Sequence, residues 1–231
     1  MTTPDKDVLD PSTGADVDIV FVHGLNPWGT RDHHRETWTH ENGFLWPEHL
    51  FKAVLSTRIL IFPWNSAVLD DSSNASLNDH ANIMLNWLHI RRGKDLRHRR
   101  LIFVCHSMGG LLVKQALVNS RLNTEYECIN KSTFGVVFFA TPHRGGNKAG
   151  LADFAADVCS SILGNPRNSL LDQLKRNSVL NDIGLDQFSH QTSDYRIISY
   201  FETKLTRLKK KNRRVFPNMF IPKFISIVRL T

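Results

Sequence analysis

A three-layer α/β domain with a mostly parallel sheet is predicted by three observations. The chain has 231 residues, 41% of them apolar, which fits one domain with one sizeable core. Short β-branched and aromatic runs alternate with stretches of helical period, the pattern of βα units. The cores of those runs (IVFV, ILIF, LIFV, VVFF, IISYF) are nearly uninterrupted apolar sequence, as expected of strands covered on both faces.

Taken in order, residues 1–16 read as a loose leader and 17–203 as the domain. Strands are expected at Asp18 to His23, Arg58 to Phe62, Arg100 to Cys105, Gly135 to Ala140 and Tyr195 to Phe201. Helices are expected at Trp46 to Leu55, Leu77 to Ile90, Met108 to Arg121, Leu151 to Leu163 and Ser169 to Leu180. In Leu77 to Ile90, the positions Leu77, Ala81, Met84, Leu85 and Leu88 form one apolar stripe, read as packing. After Glu202 the pattern degrades, and Phe224 to Leu230 offers a weak sixth strand.

Charge separates the end of the chain from the rest. The net charge is +7, yet nine of the 29 Lys and Arg and none of the 22 Asp and Glu lie beyond Glu202. Lys204 to Arg214 is a dense basic run, open to two readings: a solvated or disordered segment, or a contact with anionic lipid or nucleic acid. Nucleic acid is not the expected partner, because the preceding 202 residues are slightly acidic. A second basic cluster, Arg91 to Arg100, reads as the solvated end of a helix before a buried strand. Cys105, Cys128 and Cys159 suit neither a disulfide framework nor a zinc site, which favours a reducing, intracellular setting. No apolar run approaches the roughly 18 residues that span a bilayer, and the polar start lacks the pattern of a secretory signal.

The chemistry concentrates in Cys105-His106-Ser107-Met108-Gly109-Gly110. The apolar run Leu101 to Val104 leads straight into it, and a helix-like stretch, Leu111 to Val118, follows at once. Strand, sharp turn and helix form the context of a nucleophile elbow, which makes Ser107 the candidate nucleophile of an α/β-hydrolase fold. Small residues two before and two after the serine let strand and helix pass closely. Gly109 meets that need, and Cys105 stands where glycine is usual. Cys105 as nucleophile is disfavoured by its expected burial in the strand end, and His106 is expected to point away from its neighbour.

A second strand, Val20 to His23, ends in His23-Gly24-Leu25-Asn26. In this fold the loop after that strand supplies one backbone N–H to the oxyanion hole, and the residue after the nucleophile supplies the other. Gly24 permits close approach, so the amides near Leu25 and of Met108 are the candidate donors. His23 reads as a histidine that orients the loop.

With these residues in view, the chain resembles the lipase-like α/β-hydrolases related to the serine active-site-containing protein, above all fungal versions that head larger nucleotide-binding, repeat-bearing receptors. Four blocks carry the likeness: Val22 to Thr30 with Thr37 to Thr39, Phe62-Pro-Trp64, Phe103 to Leu117, and Phe138 to Gly146. A weaker fifth is Ser199 to Thr203. The resemblance implies an acyl-ester or lipid substrate and no cofactor or metal. It also implies a link of some members to mitochondria or the endoplasmic reticulum, and hence to membranes.

The triad of this fold runs serine, acid, histidine along the chain. Glu202, at the end of the strand Tyr195 to Phe201, is the first candidate acid, and Asp153 the second. The base is the difficulty. All 11 histidines lie at or before His190, and none follows Glu202. Three readings stay open: a longer form carries the histidine further on, the C-terminal part of the fold being incomplete here; the domain is an inactive relative serving in signalling or interaction; or a histidine from elsewhere substitutes, with His143 foremost. His143 also has a structural reading, fixing the Thr141-Pro142 turn. The stretch Leu151 to Leu163 is open to ordinary packing or to use as a cap over an acyl chain.

Overall fold

The computed structural model describes residues 6–9, 14–26, 29–54, 56–66, 76–93, 99–141, 143, 187–202 and 225–228, and from Phe201 onward their backbone path. The expected helices Leu151 to Leu163 and Ser169 to Leu180, the second-choice acid Asp153 and the basic run Lys204 to Arg214 lie outside the described residues.

Among the described residues, seven strands form one sheet: β1 (Val8–Leu9), β2 (Val17–Val22), β3 (Thr57–Phe62), β4 (Arg100–His106), β5 (Thr133–Phe139), β6 (Arg196–Glu202) and β7 (Ile225–Val228). Their order is β1-β3-β2-β4-β5-β6-β7. The five central strands run parallel, while β1 and β7 pair antiparallel at the two edges. The mostly parallel three-layer sheet expected from the sequence is therefore the observed one.

Apolar side chains alternate between two cores, as a pleated strand requires. Val20, Val22, Leu60, Phe103, Cys105, Val136 and Phe138 face α3 (Leu77–Arg92), α4 (Met108–Leu122) and α5 (Glu127–Ser132). Ile19, Phe21, Ile59, Ile61 and Val104 face Trp38, Leu45 and the helix α2 (Trp46–Ala53) on the other side. The predicted apolar stripe of α3 is buried at Ala81, Met84, Leu85 and Leu88. A capping box starts that helix: Ser76 Oγ accepts from the Asp79 N–H, and the Asp79 carboxylate accepts from the Ser76 N–H. The short helices α1 (His33–Glu36) and α5 are too brief to leave a periodic signal in sequence.

Two expectations need correction. The leader is not loose throughout: Val8–Leu9 pair with Leu60 and Ile59, and buried Asp7 meets His34 and Arg35. A two-residue strand is too short to show a period. The cluster Arg91 to Arg100 is not simply solvated either. Arg92 and Arg99, with Arg58, converge on the fully buried carboxylate of Asp18 at the N-terminal ends of the strands. Arg58 grips Asp18 with two bonds of 2.9 Å. The sequence hides this arrangement because a helix end rich in arginine looks the same whether its guanidiniums meet water or a remote carboxylate.

Candidate active site

Ser107 stands between the end of β4 and the start of α4, with φ 50° and ψ −124°. A serine gains nothing intrinsically from that region of backbone space, so the surroundings must enforce it. The Ser107 N–H donates to Phe139 O at 2.8 Å, tying the turn to the neighbouring strand. The side chain makes no capping bond with α4, and no described residue hydrogen-bonds its hydroxyl. The hydroxyl is thus held at a helix N-terminus, where the macrodipole favours developing negative charge.

Three glycines make the turn possible. A Cβ on Gly109 would lie 2.3 Å from His23 O and 2.5 Å from Val22 O, so α4 could not pass the end of β2. A Cβ on Gly24 would lie 2.8 Å from the Ser107 Cβ. A Cβ on Gly110 would collide with the Thr141 side chain, its nearest atom at 2.2 Å. The first two were expected; the role of Gly110 becomes visible only when Thr141 is seen beside it.

The loop after β2 is clamped to the loop after β3. Trp64 Nε1 donates to His23 O at 3.0 Å, Ser66 Oγ donates to Gly24 O at 2.8 Å, and the Asn26 N–H donates to Ser66 O at 3.1 Å. His23 has Gly24 O 2.9 Å from Nδ1 and Trp64 O 3.1 Å from Nε2. A neutral ring carries one hydrogen, so it donates to one of these carbonyls at a time. Burial holds the His23 pKa well below the usual histidine range, with His33 nearby acting in the same direction. His23 therefore braces the loop as a neutral ring. Among the described residues, neither the Leu25 N–H nor the Met108 N–H finds an acceptor.

The other candidate residues lie as follows. His143 Nε2 is 2.8 Å from Ser199 Oγ, and its ring meets Phe138 edge-on at 4.9 Å. Burial, helped by the Lys114 charge, lowers its pKa to about 4. Glu202 closes β6 opposite Ile225, and its side chain lies outside the described residues. His106 is buried on the α2 side, edge-on to Trp38, with Nδ1 unpartnered among the described residues and a pKa lowered by burial to about 4. Cys105 is fully buried, and that burial raises its thiol pKa well above the usual value, the reverse of what a nucleophilic thiol needs. Among the described residues no cluster of His, Cys, Asp or Glu could hold a metal ion, and no helix is long and apolar enough to cross a membrane.

Comparison with known proteins gives the fold a context. Over 83% of this chain and 39% of the other, the structure is similar to phospholipase PlaB from Legionella pneumophila, with a TM-score of 0.55 and 18% identity. The chain has the α/β-hydrolase fold. A lipase from Bacillus licheniformis is also similar, at a TM-score of 0.49 and 22% identity over 82% of this chain and 69% of that one. In sequence the chain is 27% identical to protein SERAC1 of Mus musculus over 158 residues, covering 61% of the chain and 23% of that protein. It is 26% identical to protein SERAC1 of Danio rerio over 211 residues, covering 80% of the chain and 30% of that protein. The chain thus spans less than a third of the length of these curated relatives. No family model matches the sequence.

Proposed function

We propose that this domain is the acyl-transfer core of a serine hydrolase acting on carboxyl esters of the lipid class. The observation that carries the reading is the Ser107 turn: a hydroxyl at φ 50° at the start of α4, which, like the Leu25 and Met108 N–H groups, has no partner among the described residues. In this reading the Ser107 oxygen attacks the ester carbonyl, and the amides of Leu25 and Met108 hold the oxyanion. The alcohol leaves as the tetrahedral intermediate collapses to an acyl-enzyme, which water then hydrolyses. Glu202 would orient the base. The lipase and phospholipase relatives by fold favour an apolar acyl chain in the substrate, and the basic run Lys204 to Arg214 would then meet an anionic membrane surface.

His143 is a weak choice of base. Its ring nitrogen is engaged with Ser199, and a group with a pKa of about 4 accepts a proton poorly at neutral pH. That observation supports a second reading, in which the base comes from outside this sequence or the domain keeps the cleft as a binding module without turnover.

The test is hydrolysis of p-nitrophenyl butyrate by the purified chain beside Ser107→Ala, with labelling of both by a fluorophosphonate probe. Turnover and labelling that vanish in Ser107→Ala are the expected result. Equal rates in the two folded proteins would leave the binding-module reading standing.

A further inference from the structure

The carbonyls behind both candidate oxyanion donors are held by side-chain hydroxyls. A peptide unit is planar, so its C=O and the following N–H point in opposite directions and turn together. The Leu25 N–H belongs to the same unit as the Gly24 carbonyl, which accepts from Ser66 Oγ at 2.8 Å. The Met108 N–H belongs to the same unit as the Ser107 carbonyl, which accepts from Thr141 Oγ1 at 3.1 Å and from the Gly110 N–H at 3.1 Å. Ser66 and Thr141 are both buried, on loops that follow two different strands, β3 and β5.

We infer that Ser66 and Thr141 are positioning residues for the oxyanion hole, each fixing one donor amide by gripping the carbonyl at the other end of its peptide. The inference rests on the reading of the Ser107 turn as a hydrolase site and adds the residues that prepare it. A bound carbonyl does two things for its own N–H. It removes the rotation that would swing the amide away from the oxyanion, and it polarises the unit so that the N–H donates more strongly. The backbone around Thr141 is built for this contact. Ala140 takes φ 48°, turning the chain at the end of β5 so that Thr141 lies against the Ser107 carbonyl. Gly110 leaves the space that the threonine occupies.

The two grips differ in one respect. Gly24 O has a second neighbour in His23 Nδ1 at 2.9 Å, whereas Ser107 O keeps the Gly110 N–H. Removing either hydroxyl therefore loosens its amide without freeing it wholly. The expected loss is about tenfold in kcat, short of the 10² to 10³ that outright loss of a donor costs, with KM nearly unchanged, because the oxyanion exists only in the transition state.

The experiment compares Ser66→Ala, Ser66→Thr, Thr141→Val and Thr141→Ser in the full chain by two readouts. The first is kcat and KM for p-nitrophenyl butyrate, where the alanine and valine variants should lose kcat and the hydroxyl-keeping variants should regain it. The second is the backbone amide spectrum, which needs no turnover: Ser66→Ala should move the Leu25 resonance and Thr141→Val the Met108 resonance, with Ser66→Thr and Thr141→Ser returning them. Unmoved amide resonances overturn the inference. So does an unchanged kcat in Ser66→Ala and Thr141→Val where Ser107→Ala is dead. Rates insensitive to Ser107→Ala, with amide resonances that move as described, would sink the hydrolase reading and leave the peptide grip standing.

Discussion

Ser107 and Ala140 sit on neighbouring strand ends, and both hold a positive φ, 50° and 48°. Each such residue costs on the order of 1–3 kcal/mol, so the packing around them must supply the difference. Gly109 is where that packing is tightest. Its missing side chain lets α4 rest on the carbonyls of Val22 and His23, both of them backbone atoms that cannot rotate aside. Gly109→Ala should therefore push helix from strand and lower stability by about 3 kcal/mol or more, read as a drop in thermal midpoint. Activity should fall with it, since the same contact sets the distance between Ser107 and the Leu25 loop. An alanine variant that melts with the parent chain would mean that the helix has slack which the contact distances do not show.

The elements most legible in sequence were those with long apolar runs: the strands β2 to β6 and the stripe of α3 were expected within a few residues of where they lie. The sharp turn at Ser107 was legible because strand, small residues and helix are contiguous in the chain. What stayed hidden depends on residues far apart. Ser66 and Thr141 are 41 and 34 residues from Ser107, and a lone serine or threonine in a loop carries no mark of the carbonyl it will meet. Asp18 and its arginines are hidden for the same reason, joining β2 to β3, α3 and the chain before β4. Three guanidiniums share the one buried carboxylate of Asp18, so the cluster depends on Asp18 more than on any single arginine. Asp18→Asn should cost on the order of 3–5 kcal/mol, as expected when one partner of a buried ion pair is removed. Arg99→Gln, at the more open side of the cluster, should cost clearly less. Urea unfolding of the two variants checks this order, and an Asp18→Asn chain as stable as Arg99→Gln would contradict it.

For the whole molecule, the arrangement that steadies the Ser107 turn also sets how stability responds to acid. His23, His33, His106 and His143 lie around the serine turn and the strand ends beside it, and burial is the largest cause holding each below the ordinary histidine pKa. These rings stay neutral in the folded chain at a pH where the unfolded chain has already taken up protons. Stability is therefore whole above pH 6.5 and falls as the pH drops from there towards 4, the unfolded state binding more protons throughout that interval. His106, buried with a pKa of about 4, would alone remove on the order of 3 kcal/mol across the interval. Paired carboxylates act in the same direction, but chiefly below about pH 5, so the upper part of the window belongs to the histidines. The urea midpoint should thus decline already between pH 6.5 and 5, and His106→Leu should decline less steeply by about one proton's worth. A midpoint that stays level to pH 5 and then collapses would assign acid sensitivity to the carboxylates instead, and the neutral rings would be bystanders to it.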